Sequence, residues 1–428
     1  MNNSSENALV FNIQSRQTAL LQSYRQNGGY TALKKALENH PEAMIREIQD
    51  SGLRGRGGAA FPTGKKIAMV RDNAETNRFI VCNADEGEPG TFKDRFIMTH
   101  IPFQLIEGIT IAAYLSGASH GYIYVRHEYP EAQKILRASM KQANDAGLLG
   151  QNILGSGFSL SLELFSGAGS YLCGEETALL SSIEGRKGRP RVKPPYPTQC
   201  GLWNRPTLIN NVETLANIPQ IIENGASWYR RIGTIDSPGS KLISLSGDVV
   251  RRGLYEVPFG ITFAQIIGEY GGGPKPGRSI KAVNIGGASG VLVPPGLLDT
   301  PLEYQACARA GITIGSGAIF ILDDTRSILA NVQNRLRFFL HESCGKCTPC
   351  REGLRQANII LQKLLAGEAG KDGVELLERY TRAIQNASFC GLGQAAGNTL
   401  KSSLEYYREE YLGCCRPHPE NDYAEVAL

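Results

Sequence analysis

The chain contains little cysteine, no marked excess of charge of one sign and no long apolar run. Its 10 cysteines in 428 residues are too few for a disulfide scaffold. The 45 basic and 41 acidic residues leave a formal net charge of +4, and without a long basic run nothing indicates nucleic-acid binding. No window reaches the roughly 18 uninterrupted apolar residues of a membrane span. The best stretch, residues 105–118, is interrupted by Glu107 and by glycines.

The expected compartment follows from the few cysteines and from the N-terminus. Residues 1–7 contain no basic segment followed by an apolar one, as a secretion signal would. We therefore expect a reducing compartment, the cytoplasm, and any membrane association to occur only through partner proteins. The length predicts two to four domains.

The first half of the sequence predicts an α/β domain behind a helical N-terminal segment. Residues 1–53 are polar and helical in pattern, with an amphipathic period at 30–37. In residues 54–235 apolar strand-like runs alternate with helical ones, which predicts a largely parallel sheet. The candidate strands are 79–82, 122–125 and 160–165, and the candidate helices are 102–115 and 130–146.

The second half predicts a small mixed module and then helices. Residues 236–325 indicate an α+β domain, with short strands at 242–246, 280–285 and 318–322 around one helix near 263–270. Residues 326–428 indicate a small helical bundle, with helices at 328–340, 354–365, 374–384 and 400–411. The clustered cysteines fall in the loops of this bundle.

Cys344, Cys347 and Cys350 stand at two-residue spacing, and Cys390 follows 40 positions later. This three-plus-one arrangement favours an iron-sulfur cluster, because four thiolates are the ligand set of a [4Fe-4S] cluster. A structural zinc site remains open, although zinc usually uses two separated CxxC pairs. As fourth ligand Cys390 is preferred over the adjacent pair at 414–415, because its glycine-flanked loop leaves room for a cluster.

Two motifs indicate a phosphate-bearing ligand. Residues 53–66, LRGRGGAAFPTGKK, combine dense glycines, whose backbone amides can approach an anion, with flanking basic side chains. Residues 82–95, CNADEGEPGTFKDR, crowd polar groups onto the end of a predicted strand, where open α/β sheets bind nucleotides. The glycine-rich loop alone is equally compatible with a structural turn.

Two further motifs have a structural explanation beside a functional one. In residues 167–179, GAGSYLCGEETAL, the adjacent acids at a predicted helix start can simply favour the helix dipole. In residues 210–214, NNVET, the asparagines can be N-caps of the helix that follows.

Together, these motifs and the ESCGKCTPCREG run at 342–353 resemble one family over nearly the whole chain. It is the flavoprotein subunit of NADH dehydrogenase of the respiratory complex I type, with its soluble diaphorase relatives in NAD-linked hydrogenases and formate dehydrogenases. The resemblance implies a variant Rossmann-like domain for FMN and NADH, a ubiquitin-like α+β domain and a helical bundle with one [4Fe-4S] cluster. These expectations agree with the segments 54–235, 236–325 and 326–428.

The resemblance also implies individual ligand residues. It assigns Cys344, Cys347, Cys350 and Cys390 to the cluster. For FMN it implies Gly55, Arg56, Gly57, Lys66, Asn83, Asp85, Asn210, Asn211 and Thr214. For NADH it implies Phe61, Glu88, Tyr171, Glu175, Glu176, Lys193 and Tyr196, and Gly174 completes the cofactor-binding set. Glu88 and Glu176 are the candidate catalytic residues, as partners of the nucleotide. Glu176 facing the flavin would disfavour its negative reduced form, and its own pKa would rise.

The expected function is hydride transfer from NADH to FMN and one-electron transfer to the cluster, because a flavin can exchange electrons in pairs or singly. The expected partners are a small thioredoxin-like [2Fe-2S] subunit and a larger multi-cluster iron-sulfur subunit, which would carry electrons to quinone. The chain would then lie in the cytoplasm or peripherally on the cytoplasmic side of the inner membrane. Lys346 and residues 280–290 look more like the soluble diaphorases, so NAD+ reduction in a formate dehydrogenase or hydrogenase stays open. The third alternative is a non-catalytic zinc-binding scaffold.

Overall fold

The computed structural model describes residues 10–11 and 20–415. Predictions for residues 1–9, 12–19 and 416–428 lie outside the described residues. Between residues 20 and 235 the helices and strands are α1 (Leu21–Gln26), α2 (Thr31–Leu37), α3 (Pro41–Ser51), α4 (Thr63–Arg71), β1 (Phe79–Ala84), α5 (Lys93–His100), α6 (Pro102–Ser116), β2 (His120–Val125), α7 (Pro130–Asp145), β3 (Ser161–Ser166), α8 (Glu176–Ile183), β4 (Thr207–Asn211), α9 (Val212–Asn224) and α10 (Ala226–Arg230).

A parallel sheet forms the centre of this first unit, as the alternating pattern predicts. Its strand order is β3-β2-β1-β4, and β1 pairs in parallel with both β2 and β4. One face of the sheet packs on α6 and α9, and α8 contributes Leu179 and Leu180 to the apolar cluster on Val81 of the other face. Apolar side chains on both faces of β1 are typical of a covered parallel sheet.

Strand β4 was absent from the sequence prediction, which placed residues 210–214 only ahead of a helix. The structure places Asn210 and Asn211 on the last two positions of β4, and Asn211 also caps α9 by accepting from the Glu213 amide at 3.0 Å. The strand was missed because its apolar part is short and a helix follows without a turn. Because β4 pairs with β1, both asparagines lie beside the end of β1.

The second unit consists of β5 (Ser240–Gly247), β6 (Gly253–Pro258), α11 (Phe263–Gln265), β7 (Ile280–Ile285), β8 (Val291–Val293), α12 (Tyr304–Arg309) and β9 (Ala318–Asp323). Its five strands form a mixed sheet in the order β6-β5-β9-β7-β8. The edge strands β6 and β8 were not predicted. The expected helix near 263–270 is a short α-helix that continues into a π-helical turn at Ile266–Tyr270, with Thr262 forming a capping box.

The remaining described residues form helices around an apolar core that includes Leu336, Phe339, Leu354 and Leu361. The expected helix at 400–411 is two helices, because the backbone leaves the helical region at Tyr407. The helices are α13 (Ile328–Glu342), α14 (Thr348–Leu365), α15 (Lys371–Ala387), α16 (Gly391–Ala396), α17 (Asn398–Tyr406) and α18 (Arg408–Gly413).

No single helix within residues 10–11 and 20–415 is long and apolar enough to cross a membrane. In this part of the chain only α5 and α6 taken together satisfy length and composition, and they meet at a bend of 98°.

Candidate functional site

Two adjoining cavities lie at the carboxyl ends of β1 and β4, with volumes of about 510 and 290 Å³. Every residue that the resemblance assigns to FMN or NADH, except Arg56, lines at least one of them. The residues common to both cavities are Gly57, Asn83, Gly174, Glu175, Asn211 and Gly391. The structure therefore brings together motifs that lie far apart in the sequence.

The glycine-rich loop forms one wall of the larger cavity. The Gly55 amide donates to the Phe61 carbonyl at 2.9 Å and closes the loop on itself. Gly57 lies so close to β4 that a Cβ there would be 2.9 Å from the Asn211 Cβ, so only glycine fits without movement. The exposed ring of Phe61 stands at the cavity mouth.

Arg56 belongs to the glycine-rich loop but lines neither cavity. Its amide donates to the Thr214 hydroxyl at 2.8 Å. Its buried guanidinium donates to the hydroxyls of Tyr304 and Tyr229, both at 2.8 Å, and lies over the Phe259 ring. The sequence could not show this, because Tyr304 and Phe259 belong to the second unit. The charge expected to face the flavin phosphate instead joins two units.

The end of β1 presents polar groups that lack protein partners. Asn83 donates to the Gly174 carbonyl at 2.9 Å, whereas the buried Asp85 Oδ2 has no hydrogen-bond partner among the described residues. Burial raises the pKa of Asp85 to about 8. Asn210 Nδ2 is likewise buried and unpartnered within this part of the chain. Unsatisfied buried polar groups are costly, so this crevice is suited to a polar ligand that hydrogen-bonds with them.

Glu175 and Glu176 are adjacent but have different contacts. The Glu175 carboxylate caps α8, accepting from the amides of Thr177 and Ala178 at 2.9 Å, so the expected favourable charge at the helix start is present. Glu176 pairs with Lys193 at 2.7 Å and with Lys66 at 3.4 Å, and Lys193 also pairs with Glu175 at 2.9 Å. Burial raises the pKa of Glu176, but the two lysines outweigh burial and hold the pKa below its ordinary value. The expected rise in pKa did not include these lysines, and they oppose the effect of a negatively charged flavin.

Glu88 reaches from the first unit to the second. It accepts from the Ser289 amide at 2.8 Å, from the Ser289 hydroxyl at 2.5 Å and from the Ser316 hydroxyl at 3.0 Å. Burial raises its pKa despite these hydrogen bonds. Tyr171 lines the same smaller cavity, and its ring packs on Phe338 of α13. Sequence reasoning missed both serines, because Ser316 lies in no motif and residues 280–290, which contain Ser289, were used only to compare the two kinds of relative.

A network of buried charged and polar side chains lines part of the smaller cavity. Lys93 donates to Asp94 at 2.6 Å and to Asn211 Oδ1 at 3.0 Å, and pairs with Glu213 at 3.0 Å. Asn211 in turn donates to Asp94 at 2.6 Å. Lys93 and Asp94 stand in the motif at 82–95, which was the available signal, but were not singled out. The network fixes the orientation of the Asn211 amide.

The cysteines of the predicted cluster converge at the end of the bundle. Cys344 lies between α13 and α14, and Cys347 and Cys390 occupy the N-cap positions of α14 and α16. Cys350 lies in the first turn of α14, whereas the sequence predicted all of these cysteines in loops. Burial, and then the neighbouring thiols of the other three, raise the pKa of Cys350 to about 11.

The four thiols are the ligand set that a [4Fe-4S] cluster uses. Among the described residues, no group of three or more His, Cys, Asp or Glu is arranged to hold a single metal ion. A structural zinc site usually takes two separated CxxC pairs, whereas this chain has three clustered cysteines and one distant cysteine. The chemistry of the donor set therefore fits the cluster better.

Comparisons with known proteins agree with both halves of this site. Residues 48–220 match the family model described as Nuo51 FMN-binding domain, and residues 330–413 match the NADH-ubiquinone oxidoreductase-F iron-sulfur binding region. The chain is 45% identical over 408 residues to the second F-type subunit of NADH-quinone oxidoreductase from Rhizobium meliloti (strain 1021), covering 95% of this chain and 97% of the relative. The chain belongs to the family of F-type subunits of NADH-quinone oxidoreductase.

Other members and solved structures are similar over most of the chain. The F-type subunit of NADH-quinone oxidoreductase from Escherichia coli (strain K12) is 42% identical over 92% of this chain and 90% of its own length. A crystal structure of NAD+-reducing [NiFe]-hydrogenase in the H2-reduced state superposes with a TM-score of 0.83 at 40% identity. That superposition covers 90% of this chain and 65% of the hydrogenase chain.

The chain contains groups that suit both cofactors of this family, FMN and the [4Fe-4S] cluster. The FMN-binding region contains the cavity lined by Gly57, Asn83 and Asn210, with the unpartnered polar atoms described above. The iron-sulfur binding region contains Cys344, Cys347 and Cys350 with Cys390. Gly391, next to Cys390, lines both cavities, so the cluster site borders the flavin site.

Proposed function

We propose that this chain oxidises NADH with FMN in the paired cavities and delivers the electrons singly to a [4Fe-4S] cluster on its four clustered cysteines. The observation that carries this proposal is Gly391, which follows the fourth cysteine and lines both cavities. Electron transfer needs proximity between the flavin and the cluster, and this shared boundary supplies it.

The chain's residues divide between the two ligands of the cavities. We propose that the FMN phosphate and ribityl chain lie against the backbone of Gly55, Arg56 and Gly57. Side chains for FMN are Lys66, Asn83, Asp85, Asn210, Asn211 and Thr214. NADH would lie toward the mouth of the larger cavity and against residues of the smaller one. These residues are Phe61, Glu88, Tyr171, Gly174, Glu175, Glu176, Lys193 and Tyr196.

Bound FMN supplies the chemistry of accepting a hydride and releasing single electrons. The chain positions the reactants. Glu176, ionised between two lysines, offers an acceptor for nucleotide hydroxyl or amide groups. Buried Glu88, held by Ser289 and Ser316, offers a second carboxylate in the smaller cavity. No histidine of the described residues lines either cavity, so proton transfer by histidine has no place in this arrangement.

The onward path and the domain boundaries are part of the same proposal. Relatives named as subunits of NADH-quinone oxidoreductase support transfer toward quinone through a small [2Fe-2S] subunit and a larger iron-sulfur subunit, on the cytoplasmic side of the inner membrane. Three apolar cores that share a few residues at their borders support domains at 54–235, 236–325 and 326–428, of which the second would be ubiquitin-like. The described residues of the helical segment 1–53 pack into the core of the first domain.

The test is anaerobic purification of the full chain with analysis of flavin, iron and sulfide. We expect FMN, four irons, flavin bleaching by NADH and the electron paramagnetic resonance signal of a reduced [4Fe-4S] cluster. Cys390→Ser should lose the cluster signal and keep the bleaching, whereas the control Cys415→Ser should keep both. Colourless protein that holds zinc and no flavin would refute the proposal and support the scaffold alternative.

A second candidate is NAD+ reduction by the same module in a soluble formate dehydrogenase or hydrogenase. The superposition on an NAD+-reducing hydrogenase favours it. Fractionation of the source cells separates the two candidates. Membrane-attached NADH:quinone activity that co-purifies with the chain supports the first, and hydrogen- or formate-dependent NAD+ reduction in the soluble fraction supports the second.

A further inference from the structure

Lys346 lies between two cluster cysteines in the sequence, yet its contacts lie outside the bundle's own loop. Its ammonium donates to the Pro190 carbonyl at 2.8 Å and stands 3.9 Å from the centre of the Phe389 ring. Phe389 directly precedes Cys390. Lys346, which belongs to the cluster loop (residues 343–347), therefore contacts both the segment of the fourth cysteine and the loop between α8 and β4.

The loop between α8 and β4 also carries part of the nucleotide wall. Three residues after Pro190, Lys193 pairs with Glu175 at 2.9 Å and with Glu176 at 2.7 Å. Tyr196 of the same loop lines the larger cavity. A contact at Pro190 therefore links the nucleotide side of the site to the cluster side.

The ammonium of Lys346 is not paired with a carboxylate in the part of the chain that the structure describes. Among the described residues it forms no ion pair within 4.0 Å, whereas the nearby Arg351 pairs with Glu352 at 3.0 Å. Its ammonium instead contacts a carbonyl oxygen and an aromatic face, which attract a cation without neutralising it. The charge remains available to act on the thiolates of the cluster site.

Resting on the function proposed above, we propose that Lys346 is a positioning residue with two effects. Its hydrogen bond to Pro190 fastens the α8–β4 loop to the cluster loop. Its unpaired charge raises the reduction potential of the cluster, because reduction adds one electron to an anionic group and a nearby cation favours the more negative state. The residue thereby favours electron arrival from the flavin.

Three substitutions in the full chain separate the two effects. Lys346→Arg keeps a charge and a donor, Lys346→Gln keeps a donor without charge, and Lys346→Met keeps neither. Lys363→Met, at an exposed lysine of α14, is the matched control. The cluster midpoint is measured by potentiometric titration with electron paramagnetic resonance. Hydrogen exchange of the amides in residues 186–198 is measured in cluster-free protein, so this measurement does not depend on cluster assembly.

The midpoint should become more negative in Lys346→Gln and Lys346→Met, and stay unchanged in Lys346→Arg and Lys363→Met. A tenfold change in the reduced-to-oxidised ratio corresponds to about 59 mV for one electron. Exchange in residues 186–198 should accelerate only in Lys346→Met. An unchanged midpoint in both uncharged variants overturns the electrostatic effect, and unchanged exchange in Lys346→Met overturns the fastening. Absence of a reducible cluster from the unsubstituted chain would instead refute the proposed function.

Discussion

Glu175 and Glu176 show at the residue scale how two adjacent acids can differ in their contacts. The Glu175 carboxylate accepts from the free amides at the start of α8, whereas Glu176 lies between Lys66 and Lys193. Both residues line a cavity and both pair with Lys193, so Glu175 fits the structural and the functional explanation of the acidic pair, and Glu176 fits the functional one. Backbone geometry decides between them, since Glu175 occupies the N-cap and Glu176 the first turn.

Glu176→Gln should weaken NADH binding while leaving the shape of the pH profile between pH 6 and 8 unchanged. The pKa of Glu176 is held below its ordinary value of 4.5, so the group is already ionised throughout this range. Losing a charged acceptor costs about 1.5–3 kcal/mol, roughly a 10- to 100-fold rise in KM when KM reports binding. Steady-state kinetics with NADH and NADPH across pH measure this, with Glu163→Gln on strand β3 as control. An unchanged KM and unchanged nucleotide preference would refute the role.

Helix α6 shows what an element can do that its sequence does not reveal. Glu107 interrupts the longest apolar stretch and, in the fold, is buried in the middle of α6. Its carboxylate accepts from the Tyr24 hydroxyl at 2.5 Å and from the amides of Tyr30 and Leu33 at 3.0 and 2.9 Å. The residue is thus the anchor that attaches α1 and α2 to the core.

Glu107→Ala should release these two helices from the first unit. The substitution leaves three buried donors without an acceptor, and each unsatisfied group costs about 1–3 kcal/mol. Hydrogen exchange in residues 21–37 should rise by at least tenfold, and thermal unfolding should shift to lower temperature. Glu38→Ala, which removes an exposed carboxylate of the same segment, should change neither. Equal exchange in the two variants would contradict the anchor.

Buried charges join the units at the scale of the whole molecule. Glu213 at the start of α9 pairs with Lys93 at 3.0 Å and with Lys241 of β5 at 2.5 Å, and accepts from the Leu242 amide at 2.9 Å. Burial raises the pKa of Glu213, but the two lysines outweigh it and the net pKa is lowered. The Glu213 carboxylate is therefore ionised at the interface between the first two units, where it balances the charges of Lys93 and Lys241.

Glu213→Gln should destabilise the protein by about 3–5 kcal/mol, because the buried Lys241 loses its counter-charge and the buried Lys93 keeps only Asp94. The pKa of Glu213 is lowered on folding, so its contribution is complete above its ordinary value of 4.5 and is lost as pH falls below it. Denaturant unfolding at pH 7 and at pH 4 measures both effects, and the exposed Glu223→Gln of the same helix is the control. A difference that does not shrink at pH 4 would contradict this assignment.

Arg56→Lys should loosen the contact between the first two units without emptying the cavity. Lysine keeps the positive charge and the backbone amide that donates to Thr214. Its single ammonium lacks the fork of a guanidinium, so it cannot donate to the hydroxyls of Tyr229 and Tyr304 in the same way. We expect a loss of about 2–3 kcal/mol, from two charge-assisted hydrogen bonds. Thermal unfolding with parallel FMN titration measures it, with the exposed Arg231→Lys as control. Lost FMN binding with unchanged stability would instead indicate that the charge serves the flavin.

The sequence by itself determined the order of the units, the parallel character of the first sheet, the four cysteines and the motifs that meet at the cavities. These features depend on local spacing and on the alternation of apolar residues, both of which are written along the chain. Strand β4 was not predicted, because five residues that run directly into a helix carry too little pattern.

Only the tertiary structure decided where the charges act. It turned Arg56 toward Tyr304, gave Glu88 its serine partners and joined Lys346 to Pro190. Each of these contacts links residues more than 150 positions apart. A side chain's partner across such a distance depends on how whole units pack and on the cost of leaving a buried charge unpaired, and neither quantity is visible in a local run of residues.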